Sequence, residues 1–107
     1  MKRITKITLF ALGLVAMPTI ALPSTFTAID FPGSTASFAR GINLEGDIVG
    51  CYVASGVTHG FLLHQGGFIT IDPPGSTLTV AFGINPQGEI IGWYVASGVM
   101  HGFLARR

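Results

Sequence analysis

The chain has 107 residues, enough for one small domain, and with 49% hydrophobic and only 10% charged residues its surface is mostly neutral. Its formal charge of +1 comes from the N-terminus: Lys2, Arg3 and Lys6 lie in the first six positions, and from residue 22 onward three arginines (Arg40, Arg106, Arg107) face five acids (Asp30, Glu45, Asp47, Asp72, Glu89), a net −2. A protein that binds nucleic acid needs a basic stripe to neutralise phosphates, and this part of the chain has none.

Residues 1–21 read as a secretory signal peptide, helical in its apolar part. Lys2, Arg3 and Lys6 form its positive end, Ile7–Met17 its apolar run, and Pro18 breaks that run before Thr19-Ile20-Ala21. Cleavage is expected after Ala21. The run is shorter than the roughly 20 residues of a membrane span. The expected product is a protein in the periplasm or outside a bacterial cell, with no stable membrane span after cleavage.

The remainder, residues 22–107, is dominated by a duplication. Residues 26–65 align with 68–107 at a constant offset of 42, and 24 of the 40 pairs are identical. Shared blocks are Asp-x-Pro-Gly-Ser-Thr (30–35, 72–77), Gly-Ile-Asn (41–43, 83–85), Tyr-Val-Ala-Ser-Gly-Val (52–57, 94–99) and His-Gly-Phe-Leu (59–62, 101–104).

Each copy predicts four short strands rich in β-branched and aromatic residues: 26–30, 37–42, 47–53 and 58–64 in repeat one, and 68–72, 79–84, 89–95 and 100–106 in repeat two. Asn43-Leu-Glu-Gly46 and Asn85-Pro-Gln-Gly88 suit type I turns; Ser55-Gly56, Ser97-Gly98 and Gly66-Gly67 mark hairpins; Pro32-Gly33 and Pro74-Gly75 suit type II corners. The expected fold is all-β: two tandem four-stranded antiparallel meanders of the β-propeller-blade type. In the third strands, Ile48, Gly50 and Tyr52 alternate with Val49, Cys51 and Val53, and Ile90, Gly92 and Tyr94 with Ile91, Trp93 and Val95, so both faces of each sheet are apolar and call for neighbours on both sides.

Gly-Ile-Asn-x-x-Gly-x-Ile-x-Gly-x-Tyr followed by His-Gly-Phe-Leu resembles the extracellular HAF repeat of bacterial secreted proteins, across residues 26–107. That repeat is named for a His-Ala-Phe tripeptide; both copies here read His-Gly-Phe. The resemblance implies a propeller-like repeat protein and carries no specific activity. Two blades do not close a ring, since propellers have roughly 4–8. Three architectures remain open: a protomer of a homo-oligomeric ring, a compact monomer of two packed sheets, and a piece of a longer protein with further repeats. The chain starts with the strand that finishes a unit and ends with the strand before it, so Phe26–Asp30 is expected to complete the second unit of the same chain or of a neighbour.

The repeat also filters candidates for chemistry, because a residue present at both equivalent positions builds the unit more often than it catalyses. His59 and His101 recur in one context and read as strand-bridging imidazoles. Asp30 and Asp72, and Asn43 and Asn85, read as side chains bonding turn backbone. Glu45-Gly-Asp47 lacks the ligand run of a calcium loop, no serine sits in a Gly-x-Ser-x-Gly elbow, and no Cys/His cluster has zinc spacing. The asymmetric pairs are Cys51/Trp93, Arg40/Phe82, Thr58/Met100 and His64/Arg106. Cys51, the sole cysteine, reads as a buried small hydrophobe, with pairing to another chain as the alternative. Trp93 reads as core, with a sugar-stacking surface as the alternative.

No catalytic residue, metal site or cofactor is expected. The reading is a non-catalytic structural or binding module at the envelope or outside the cell, with a glycan or envelope protein as ligand. The alternative is part of a larger propeller-type exported hydrolase or lyase.

Overall fold

The computed structural model describes residues 25–107; the leader expected over residues 1–21 lies outside them. Seven strands follow in chain order: β1 (Ala36–Ile42), β2 (Ile48–Ala54), β3 (Val57–His64), β4 (Gly67–Ile71), β5 (Ser76–Ile84), β6 (Ile90–Ala96) and β7 (Val99–Ala105). All pairings are antiparallel. They make a four-stranded sheet, β1-β2-β3-β4, and a three-stranded sheet, β5-β6-β7.

The turns account for the meander. Ser55 and Gly56 (φ 51° and 75°), Ser97 and Gly98 (51° and 75°) and Gln65 and Gly66 (49° and 80°) are all left-handed, the type I′ combination whose twist matches that of paired strands. The third hairpin therefore closes at Gln65-Gly66 rather than at Gly66-Gly67, and Gly67 opens β4. At the β1–β2 and β5–β6 connections the amide of Gly46 donates to the Asn43 carbonyl (3.1 Å) and that of Gly88 to the Asn85 carbonyl (2.9 Å), as type I turns require. The two halves share irregularities as well: the ladder slips between Ala39 and Gly41, and again 42 residues later between Ala81 and Gly83.

One expected strand is not formed. Phe26–Asp30 pairs with no strand among the described residues, and Phe26 is 95% exposed. Its counterpart at Gly67–Ile71 forms β4 because a two-residue turn holds it beside β3. The first sheet is thus assembled across the repeat boundary, and the expected four-stranded second unit has three strands. The physical reason is tethering: Phe26–Asp30 has no preceding strand in the described chain to fold back on.

The sheets pack face to face. Val49 and Leu62 of the first sheet meet Ala81 and Ile90 of the second, all four between 0% and 1% exposed. At roughly 1.5–3 kcal/mol for each large aliphatic side chain, this small cluster is a main source of stability. Strand β5 approaches the first sheet closely enough that side chains must be missing opposite it. A Cβ on Gly41 would lie 2.8 Å from the Phe82 carbonyl oxygen, and one on Gly60 would lie 3.0 Å from Cγ2 of Thr79. Within each sheet a phenylalanine ring covers a cross-strand glycine, Phe61 over Gly50 and Phe103 over Gly92.

The outward face of the first sheet is covered by its own chain only around Tyr52 and Phe61, while Ala39 and Ile48 on the same face stay open. Phe31 stacks on Tyr52 (3.7 Å between centroids, 4° between planes) and abuts Phe68, which meets Phe61 edge-on. The outward face of the second sheet is bare: Ile91, Met100 and Leu104 are at least half exposed. Apolar faces on both sides of each sheet were expected to be covered; the two facing inward are, the outward face of the first sheet is covered in part, and that of the second is open.

A buried hydroxyl records a difference between the copies. Ser37 accepts a hydrogen bond from the Phe31 amide (3.0 Å). At the equivalent place Pro73 has no amide hydrogen, and the buried Oγ1 of Thr79 is left without a partner.

Two outcomes are expected in urea unfolding. Gly50→Ala places a Cβ 1.8 Å from the Phe38 carbonyl oxygen and costs at least about 3 kcal/mol. Thr79→Val removes the orphaned hydroxyl at constant shape and raises stability by about 1 kcal/mol.

Candidate functional site

Three places bring polar or accessible groups together. The first is His59. Its Nδ1 lies 2.6 Å from the Asp72 carboxylate, whose other oxygen accepts from the Gly60 amide (3.3 Å), and its ring stacks on Tyr52. Asp72 therefore does not bond its own turn, as its place before Pro73-Pro74 suggested. With Pro73 and Pro74 following, the turn lacks two amides that a local carboxylate might accept from, and the side chain reaches back to β3 instead. The Tyr52 hydroxyl is bound to Thr70, so β2, β3 and β4 are joined by side chains as well as by their ladder. His101 has the same stacking on Tyr94 but is exposed. Asp30, the counterpart of Asp72, is exposed at the start of the described chain.

The second place lies at the end of the first sheet and breaks the repeat. Asp47, buried, accepts from Nδ1 of His64 (2.7 Å), from Nδ2 of Asn43 (3.3 Å) and stands 3.9 Å from Arg107. Arg107 also points its NH2 at Nε2 of His64 (3.3 Å). A guanidinium only donates, so Nε2 is the acceptor and the ring proton sits on Nδ1, facing Asp47. The counterpart in repeat two is a Glu89–Arg106 pair at 2.8 Å. Asn43 and Asn85 hold the turns as expected, each side-chain oxygen accepting from the amide four residues on (2.9 and 2.8 Å). Asn43 also donates to the Asn85 carbonyl (3.1 Å), tying the two units together.

Both acids are held below their ordinary pKa values. The hydrogen bond from His64 does this for Asp47, and that from Arg106 for Glu89, against a smaller opposing effect of desolvation. Among the described residues no hydrogen bond joins a serine, threonine or cysteine to either imidazole, and no group of three His, Cys, Asp or Glu is placed to hold a metal ion. The Asp47–His64 pair has the geometry that orients an imidazole for proton transfer, but its outer nitrogen faces Arg107 rather than an open cleft.

The third place is the free edge of β7. A groove of about 550 Å³ runs along it, lined by Thr70, Ile71, Pro73, Tyr94, Phe103 and Ala105. Sequence reasoning named both the strand able to occupy such an edge, Phe26–Asp30, and the unit that lacks it, the second. Trp93 lies half-buried on the bare face of the second sheet, and Cys51, its counterpart, is buried between the sheets as an unpaired thiol. His64 was visible in the sequence as an asymmetric position; its partner Asp47 was not, because acidic turn residues occur at both equivalent sites.

No family model, curated protein or solved structure matches the chain.

The lowered acids fix the sign of the pH dependence. Each contributes stability that is complete above its ordinary value, 3.8 for Asp47 and 4.5 for Glu89, and lost as the pH falls through the lower folded value. The urea midpoint is therefore expected to fall below about pH 4, and Asp47→Asn to flatten that fall.

Proposed function

We propose that the chain is an exported, non-catalytic β-repeat module of the propeller-blade type, working outside the cytoplasm as a binding or building element. The observation that supports this most is how the polar groups are used. Asp72 ties His59 to the end of β4, Asp47 and Arg107 enclose His64, and both turn asparagines bond backbone. These groups hold strands and repeats together instead of converging on an empty cleft. The resemblance to the HAF repeat and the signal-peptide character of residues 1–21 support a place at the envelope or outside the cell. The expected ligand is a glycan or an envelope protein.

The Asp47–His64 pair favours a second reading, part of a propeller-type exported hydrolase or lyase. Two measurements separate the readings. Binding to a glycan array or an envelope extract supports the module, and absence of binding to both counts against it. His64→Gln and His59→Gln are expected to lower the unfolding midpoint without abolishing any turnover; loss of a measurable hydrolase activity in a folded variant would establish the enzyme instead.

A further inference from the structure

Among the described residues the second sheet lacks the strand that completes the first, and Phe26–Asp30, the repeat's other copy of that strand, is unpaired. In the first sheet β4 adds to β3 with Leu63 opposite Phe68, Leu62 opposite Ile69, Phe61 opposite Thr70 and Gly60 opposite Ile71. Shifted by the repeat offset of 42, this register sets Ala105 against Phe26, Leu104 against Thr27, Phe103 against Ala28 and Gly102 against Ile29. It also brings Asp30 to His101, as Asp72 stands to His59. The groove beside β7 is where such a strand would lie.

The faces tell the same story. The buried contact inside the chain joins Val49 and Leu62 to Ala81 and Ile90. The counterparts of these four residues are split between opposite sides of the molecule. Ile91 and Leu104, which correspond to Val49 and Leu62, are 57% and 50% exposed on the second sheet. Ala39 and Ile48, which correspond to Ala81 and Ile90, are exposed and half-buried on the first. Open grooves of about 390 Å³ and 290 Å³ mark the two places.

The glycines agree. A Cβ on Gly60 would lie 2.6 Å from the Ile71 carbonyl oxygen of β4, whereas one on Gly102 meets nothing closer than 3.8 Å. Gly102 is crowded only when a fourth strand is present.

The same chain does not fill its own edge. Phe31 is stacked on Tyr52, on the side of the first sheet turned away from the second. For Asp30 to reach His101 the preceding segment would have to cross two sheet layers, roughly 20 Å, and that stack would break. In the chain itself, Asp72 binds one sheet while the next residue, Pro73, lines a groove together with Tyr94 of the other. Asp30 and Phe31 are placed to span two layers in the same way, the earlier layer being supplied from outside.

We infer that copies of this chain associate head to tail, with Phe26–Asp30 of one copy forming the fourth strand on β7 of the next and its Ala39–Ile48 face covering Ile91 and Leu104. The contact repeats the one already made inside the chain, so it uses the same side chains at the same spacing. It is heterologous, and it closes into a ring or continues as a filament according to the rotation per copy. With two sheets per copy, rings of roughly two to four copies fall within the range of propellers. The inference holds whatever ligand the module takes, so failure of a glycan or envelope screen leaves it standing.

The test uses the full chain, expressed with its own N-terminal segment and purified as the cell processes it. Light scattering at about 50 µM is expected to give a mass of two or more copies. Gly102→Val, whose Cβ meets nothing closer than 3.8 Å in the lone chain, is expected to reduce this to one copy with the strand content by circular dichroism unchanged. In a Cys51→Ala background, Thr27→Cys chains mixed with Leu104→Cys chains are expected to form a disulfide-linked pair. A single-copy mass for the unaltered protein, an undiminished mass for Gly102→Val, or a Thr27→Cys/Leu104→Cys chain that cross-links only within itself would each overturn the inference.

Discussion

The structure depends on how closely β5 can lie against the first sheet. Four aliphatic residues are sealed between the layers because Gly41 and Gly60 present no side chain to β5, and without that approach Val49 and Leu62 would face water. A domain of this size buries a modest fraction of its surface, so one such seam is a large share of what holds it together. The Asn43 bond to the Asn85 carbonyl fixes the relative height of the layers at the same seam. Polar contact and apolar contact therefore specify one arrangement of the sheets.

That seam also explains where polar residues ended up. Phe31, Phe68 and Tyr52 cover part of the far side of the first sheet with aromatic surface, and the Tyr52 hydroxyl and the His59 imidazole find partners on β4 or just beyond it, at Thr70 and Asp72. In the second sheet Tyr94 and His101 keep their stacking but lie beside an empty edge. The contrast between a satisfied His59 and an exposed His101 follows from the presence of β4 on one sheet and the lack of a counterpart on the other. Identical sequence blocks thus carry different environments, decided by what stands next to them.

Most of the local structure was legible. The alternation in β2 and β6, the Asn-x-x-Gly turns and the Ser-Gly hairpins each follow from a local rule, and the repeat doubled every signal. The offset of the strands already marked Phe26–Asp30 as able to complete the second unit; what could not be read was that it stays unpaired among the described residues. Phe26–Asp30 and Phe68–Asp72 look alike as segments, and only the two-residue turn at Gln65-Gly66 distinguishes their fates. Two consequences of single substitutions were also invisible: that Pro73 in place of Phe31 would orphan the Thr79 hydroxyl, and that Asp72 would reach β3 rather than its own turn. Both depend on tertiary neighbours. The Asp47–His64–Arg107 cluster lies in the same category, since its members are spread over 60 residues of sequence.

The shift between repeat boundary and sheet boundary bears on how such a gene changes length. Because the first sheet borrows its last strand from the second copy, a change in length by one whole 42-residue unit keeps hairpins, Pro-Gly corners and the interlayer seam in register. A unit cut at sheet boundaries would instead travel as a finished block, joined to its neighbours by surface contact alone. Here the backbone itself is stitched across the junction, so the two copies cannot be parted without removing a strand from the first sheet.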